Sequence, residues 1–393
     1  MKSYDFDITI IGGGCIGSSI LHELTRRGFC NIGLIDCGRN SMSATVSSGG
    51  MIRVFHENPT HIELALGNYS LLKKYQASGV LKQRMMFNGS LYFFNKHRYI
   101  EFQKNLEIMD GANYPFEVFT TACGRKHFPQ FLWNDNEWAI YEPQGTQLTP
   151  SLFTENLLTS SINAGAMILD DLSVLRFSHH RDYYRISGNE ATITTKILIL
   201  AGGARLLPRL KDLGLNLPLE SKMITTYIAI KSKNCIPTHY SSIPPDNSNK
   251  NIQKTNADTH LNKKRNGMEK TSLNNEYLNI VEPQTTWFQP NYFDRETLNF
   301  ACLGQASYVT LSSPEEQRLI DRPWERSYEE KSELDCYAPN RIGYAGQISG
   351  LPHLHLATGW GGTGFKFALE IGNHIATAID LGKPERRQSY ALL

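Results

Sequence analysis

At 393 residues, 40% of them hydrophobic, the chain has the apolar content of a soluble globular protein and is too long for one small core, so two domains are expected. Lys and Arg number 40 against 38 Asp and Glu, a formal net charge of +2 with no large excess of either sign, so nothing in it asks for nucleic acid or an anionic membrane and a small-molecule ligand is expected. No apolar stretch approaches the roughly 20 residues of a spanning helix, and residues 1–6 are polar, so a cytoplasmic location is the default expectation.

Residues 7–17 place an apolar strand directly before Gly12-Gly13-Gly14-Cys15-Ile16-Gly17, a G-x-G-x-x-G turn. Gly12 makes the tight turn, Gly14 lets the backbone approach a pyrophosphate, and Gly17 lets the next helix pack on the strand. The spacing predicts a helix over 18–27, with Ile20, Leu21 and Leu24 on one face and Gly28 as its stop. A strand over 32–35 then ends at Asp36, an acid placed for the hydroxyls of an adenosine ribose. The unit specifies an adenine dinucleotide seated on a helix N-terminus; FAD and NAD stay open, because both carry the same ADP half.

Further along, the polar, small-residue stretch 38–50 and Met51-Ile52-Arg53-Val54-Phe55-His56 can wrap a cofactor without bulk. Periodicity predicts helices over 63–75 and 149–164 and strands over 87–94, 166–174 and 183–193. Residues 196–204 form an apolar run closing on Ala201, Gly202 and Gly203, the pattern of a buried parallel strand whose end meets a ligand. Between 237 and 275 the composition turns to Asn, Lys, Ser, Thr and Asp, which reads as a solvated, partly disordered insertion. Strands are expected over 277–281, 286–289 and 298–304, and 353–382 returns to strand, glycine turn and helix. The seven cysteines are scattered without a C-x-x-C pair, which fits a reduced compartment and gives no metal site.

Four stretches in this order resemble the D-amino acid oxidase superfamily of FAD-dependent amine oxidoreductases, and within it the sarcosine oxidase-like enzymes. They are Ile10 to Gly17 with Asp36; Ser47-Ser48-Gly49-Gly50-Met51-Ile52-Arg53; Ile197 to Gly203; and Thr358-Gly359-Trp360-Gly361-Gly362-Thr363-Gly364-Phe365-Lys366-Phe367-Ala368. The resemblance implies a two-domain α/β flavoprotein. Residues 1–82, 145–220 and 335–393 would form a discontinuous, Rossmann-like FAD domain, and 83–144 with 221–334 a substrate domain on a mixed or antiparallel sheet. FAD would be held by Gly12, Gly13, Gly14, Cys15, Ile16, Gly17, Asp36, Ser48, Gly49, Gly50, Arg53, Val174, Ala201, Gly202, Gly361, Gly362, Thr363, Gly364 and Lys366.

By the same resemblance Lys366 contacts a substrate carboxylate, with Arg53 or Arg341 as its partner, and the amides of the glycine turn stabilise negative charge on the reduced flavin. Cys336, 30 residues before Lys366, stands where such proteins attach FAD by a thioether; a free buried cysteine is the other reading. Tyr337 and Trp360 are available as an aromatic wall. His56 replaces an expected arginine and is read as a group titrating near neutral pH, a base or anion contact. The strand at 298–304 lacks the family's histidine and oxygen-activating lysine, with Asn299 at the lysine position, a loss that would slow oxygen use, favouring a dehydrogenase, or shift that task to another cation.

The implied reaction removes a hydride from the C–N bond of a small primary or secondary amine or amino acid, giving an imine, with oxygen as the expected acceptor. Two other readings are a dehydrogenase or tailoring enzyme acting on a cyclic or carrier-bound amine, and a non-catalytic FAD-binding subunit. The latter would use the 237–275 insertion or the surface around Phe116 to Trp133 as its contact.

Overall fold

The structure, a computed structural model, describes residues 2–38, 43–87, 89–129, 133–230, 279–281, 287–290, 300–308 and 328–381. Two eight-stranded sheets organise it. In the first, Lys2–Ile11 is the central strand, parallel to Ala191–Leu200 on one side and to Ile32–Ile35 on the other. Met167–Leu169 extends the parallel set beyond Ile32–Ile35, and Leu354–Thr358 pairs parallel to Ala191–Leu200. These strands therefore end together, at Ile11, Ile35, Leu200 and Thr358, so Gly12, Asp36, Ala201 and Gly359 emerge along one sheet edge. That edge is where open α/β sheets bind ligands.

Helices Cys15–Arg26 and Gly364–Leu381 cross closely on one face of this sheet. Gly372 permits the approach, since a Cβ there would lie 2.7 Å from the backbone of Ser19. Ile8, Ile10, Leu34 and Ile199 pack under Ile20, Leu21, Leu24, Phe367, Ile371 and Ile375, all buried. The opposite face is filled by Ile11, Ile35, Phe177, Ile186, Leu198 and Leu200. Removing this apolar area from water is the main stabilising term, about 25 cal/mol per Å².

The second sheet runs Tyr328–Tyr337, Glu220–Ile230, Phe300–Tyr308, Trp287–Pro290, Asn279–Val281, Ser90–Asn95, Glu137–Glu142 and Glu117–Phe119. All its pairs are antiparallel except Asn279–Val281 with Ser90–Asn95. The sequence analysis missed the helix Tyr99–Gly111 and the strand Glu137–Glu142. Among the described residues no helix is long and apolar enough to cross a membrane.

Several expected elements shift for local reasons. The first helix starts at Cys15, not 18, because Gly14 is its N-cap and the glycine turn itself supplies the first helical turn. The strand expected over 87–94 is divided into Met86–Phe87 and Ser90–Asn95 by Gly89, whose φ is +83°. The strand expected over 166–174 stops at Leu169, and Asp171, at φ +59°, turns the chain so that Val174 opens a new strand. The strand expected over 183–193 is two antiparallel strands, Tyr183–Gly188 and Ala191–Leu200. The 237–275 insertion and Asn299 lie outside the described residues. In the stretch around Phe116 to Trp133, Phe119, Phe128 and Trp133 are buried in a third core with Leu91, Phe93, Ala139 and Tyr141, while Glu117, Ala122, Arg125, Lys126 and His127 are exposed.

Candidate functional site

A cavity of about 900 Å³ opens along the carboxyl ends of the parallel strands. At one end Gly12, at φ +105°, lies against the next strand, and a Cβ on it would come 2.6 Å from the Ala201 carbonyl oxygen. Gly17 faces back into the turn, where a Cβ would sit 1.8 Å from the Gly12 oxygen. The Gly13 amide donates to Asp36 Oδ2, and the Gly38 amide donates to Asp36 Oδ1 at 3.0 Å. Gly13 and Gly17 therefore shape the turn and do not line the cavity, whereas Gly12, Gly14, Cys15, Ile16 and Asp36 do.

Around this end Ser48, Gly49, Gly50, Val174, Ala201 and Gly202 also line the wall. Gly50, at φ +70°, is forced by a close approach in which a Cβ would lie 1.8 Å from the Leu148 oxygen. Three lining residues were not singled out from the sequence. Thr45 accepts from the Cys15 amide at 3.1 Å, and Arg205 donates to both carboxylate oxygens of Glu333 at 3.0 and 3.1 Å. Each comes from a distant segment, so no local pattern marks it.

At the other end Arg53, His56, Glu57, His61, Tyr92, Arg341 and Lys366 line the cavity. Arg53 is 8% exposed, donates through Nη1 to the Phe55 oxygen, and lies 5.4 Å from the centroid of the Tyr92 ring. Behind it the fully buried Glu142 accepts from the Val54 and Phe55 amides at 2.6 and 3.1 Å. Burial pushes the Glu142 carboxyl upward and the Arg53 guanidinium downward, and each partly opposes the shift of the other. Glu57 accepts from Tyr92 Oη at 2.5 Å and is held by Arg98 at 2.8 and 3.0 Å.

His56 corrects the sequence reading. It is 4% exposed, packed edge-on against His61 and Phe367, and burial with the nearby Arg53 charge holds it well below the ordinary histidine range. It is a neutral imidazole at physiological pH, not a group titrating near 7. His61 is likewise pulled to about 4 by burial. Lys366 is half-buried; its ammonium donates to the Gly362 carbonyl at 3.1 Å, and burial, then Arg53, pull it to about 7.

The glycine turn is tied to the end of Tyr328–Tyr337. Gly361 donates to the Cys336 oxygen at 2.9 Å, Gly362 donates to Asp335 Oδ2 at 2.6 Å, and Tyr337 bridges Trp360. This corrects the role expected for the turn: the Gly361 and Gly362 amides already have partners within the chain. In the first turn of Gly364–Leu381 the Lys366 amide also has a partner, donating to the Thr363 carbonyl at 2.9 Å. The Tyr337 ring covers Gly361, where a Cβ would lie 2.2 Å from it, and both residues line the cavity with Trp360, Thr363 and Gly364. Cys336 is 3% exposed, and burial pushes its thiol up to about 11, as it does for Cys15. Lys222, a further lining residue missed in the sequence, places its ammonium 4.5 Å from the centroid of the Tyr337 ring.

These residues fit an FAD. Cβ-free glycines expose backbone at the turn, the N-cap Gly14 has no side chain of its own to cover the helix N-terminus, and an acid stands at the second strand's end. Among the described residues no cluster of His, Cys, Asp and Glu is arranged to hold a metal ion.

A sheet of this topology with such a cradle defines a dinucleotide-binding α/β protein. The chain belongs to the family described as FAD dependent oxidoreductase, DAO, which matches residues 7–378. Among curated proteins it is 24% identical over 221 residues to a monomeric sarcosine oxidase of Streptomyces avermitilis, covering 56% of this chain and 57% of that protein. It is 26% identical over 213 residues to an N-methyl-L-tryptophan oxidase of Yersinia pestis, covering 50% and 54% respectively. The match thus spans little more than half the length of these relatives. Among solved structures, L-proline dehydrogenase from P. horikoshii superposes with a TM-score of 0.74 at 17% identity, covering 97% of this chain and 95% of that one. Glycine oxidase from Geobacillus kaustophilus gives 0.71 at 14% identity, covering 99% and 97%. At these identities the likeness is one of fold.

Proposed function

We propose that the chain is an FAD-dependent oxidoreductase that removes a hydride from the C–N bond of a small primary or secondary amine or amino acid, with oxygen as acceptor. The observation that carries this reading is one continuous cavity joining the Gly12–Asp36 cradle to Arg53 and Lys366. FAD, when bound, supplies the electron sink.

The chain's own residues do the rest. Lys366 and Arg53 hold a carboxylate through charge-assisted hydrogen bonds and so aim the neighbouring carbon. His56 and His61, both neutral and packed on Phe367, form an uncharged wall that favours the unprotonated amine. No side-chain base is required if the amine enters neutral. Tyr337 closes the cavity beside the turn, and Cys336 is the point of a thioether to the cofactor. Lys222, its side chain 13% exposed and its ammonium 3.9 Å from Glu220 Oε2, is the cation that would serve oxygen use in place of the lysine not found in the sequence at 298–304, because a positive charge beside the flavin favours superoxide formation. The division into FAD and substrate domains and a cytoplasmic setting complete the reading; five free thiols among the described residues support the latter.

Anaerobic mixing with sarcosine, N-methyltryptophan, glycine, proline and iminodiacetate tests it. At least one is expected to bleach the visible flavin band, and air should restore it rapidly. A flavin that none of them reduces would sink the proposal, and slow return in air would remove oxygen as the acceptor.

A further inference from the structure

Residue Gly362 stands between two opposite charges. Its amide donates to Asp335 Oδ2 at 2.6 Å, while its carbonyl accepts from Lys366 Nζ at 3.1 Å. The second oxygen of Asp335 accepts from the Cys336 amide at 2.8 Å. Asp335 lines the cavity together with Gly362, Lys366 and Cys336, so its carboxylate is part of the wall that meets the cofactor. Burial pushes the Asp335 carboxyl upward, and the Gly362 and Cys336 amides and the Lys366 charge oppose that shift, so a carboxylate here is fixed in place by backbone donors with Lys366 as its counter-charge.

Reduction of a flavin adds negative charge to it. Amides and cations along the wall favour that charge, whereas a fixed anion opposes it and removes a donor by occupying it. Asp335 does both. We propose that Asp335 makes the FAD bound in this cavity a weaker electron acceptor, by holding the Gly362 amide and placing a negative charge at the glycine turn. The inference rests on FAD occupying the cavity and is independent of which amine, if any, is oxidised.

The groups that face Asp335 set the balance. Lys366 lies across Gly362, Arg53 beyond it adds positive charge, Lys222 stands opposite Asp335 in the strand register, and the Cys15 thiol is buried beside the carboxylate. Asp335 therefore offsets part of the positive field of Lys366 and Arg53. Without it, that field would act on the cofactor undiminished.

Sulfite is the probe, since it adds to oxidised flavin and leaves the ring negatively charged, and its binding is read from loss of the visible band without any substrate. FAD-loaded parent, D335N, D335S and D335E are titrated with sulfite, and each is reduced alongside a reference dye to give its midpoint potential. Removing the charge in D335N and D335S should tighten sulfite binding tenfold or more and move the potential upward; D335E, which keeps the charge, should stay near the parent. Equal sulfite affinity and potential in parent and D335N would overturn the proposal. FAD uptake by neither uncharged variant would assign Asp335 to building the site and overturn it as well. A parent that binds FAD and sulfite but responds to no amine would sink the proposed function while leaving this result readable.

Discussion

Arg53 and Lys366 share one cavity wall, and the charge of Arg53 helps draw the lysine down to about 7. Two cations gathered in a partly dry space call for an anion. A carboxylate ligand satisfies both, and its arrival restores the proton on Lys366.

Anion binding should therefore depend on pH with a known sign. Lys366 has a pKa below its free value, so above pH about 7 the empty cavity holds a neutral amine and must take up a proton to bind a carboxylate. Affinity for a carboxylate inhibitor is expected to fall as pH rises from 7 to 9. Lys366→Met should remove that slope and weaken binding about 10- to 100-fold, the worth of a hydrogen bond to a charged group. Flavin difference spectra across this pH range check both.

His56 leads to the opposite expectation. Held neutral far below its ordinary range, it contributes no ionisation between pH 5 and 8. The pH profile of reduction should be the same in His56→Asn as in the parent over this interval, even where the rate itself drops. A profile that loses an inflection near 6.5 would return His56 to an acid–base role.

The glycine turn is a steric claim as well as a functional one. Gly17→Ala would drive a Cβ to within 1.8 Å of the Gly12 oxygen, so the turn must move. The expected loss is about 1–3 kcal/mol of stability, together with FAD binding. Urea unfolding and flavin content after purification measure the two effects.

Buried histidine away from the cavity gives a stability prediction. His22 packs edge-on against Tyr75 and is held at about 4 by burial, with neither ring nitrogen hydrogen-bonded. Between about pH 4 and 6.5 the unfolded chain takes up a proton that the folded chain refuses, so this residue costs stability as pH falls through that window. His22→Phe should gain about 2 kcal/mol at pH 5 relative to the parent, and less at pH 8. Thermal melts at the two pH values test the difference.

Cys336 predicts a simple partition. With a thioether to the cofactor, acid precipitation of the loaded protein should carry the yellow colour into the pellet, and Cys336→Ala should release all of it. Because burial lifts the thiol to about 11, attachment to added FAD in air, which would break the S–H bond and one methyl C–H bond and pass the two electrons to oxygen, should quicken from pH 7 to 9. Colour released wholly by the parent would leave Cys336 a packed thiol.

What the sequence made legible is what is local. The strand at 32–35 was read to the residue, and the Gly12 to Gly17 turn with Asp36 lies within one strand-helix-strand unit whose spacing carries its own geometry. Glu142, Asp335 and Lys222 were not read as parts of the site. Glu142 reaches the Arg53 segment from 88 residues away in sequence, through the Val54 amide. Lys222 and Asp335 become neighbours only through the antiparallel register of their two strands. His56 misled because residue type gives its free pKa, while burial among His61, Phe367 and Arg53 decides the real one.

The ion pair between Arg205 and Glu333 gives the strand Tyr328–Tyr337 the character of a ruler. Glu333 marks the stretch of cavity that Arg205 reaches from the end of Ala191–Leu200, and Cys336 marks the glycine-turn end, about 10 Å further along an extended chain. Both marks are carried by one strand whose register against Glu220–Ile230 is fixed by their antiparallel pairing, so a slip of that register would displace the Arg205 contact and the glycine-turn contact together.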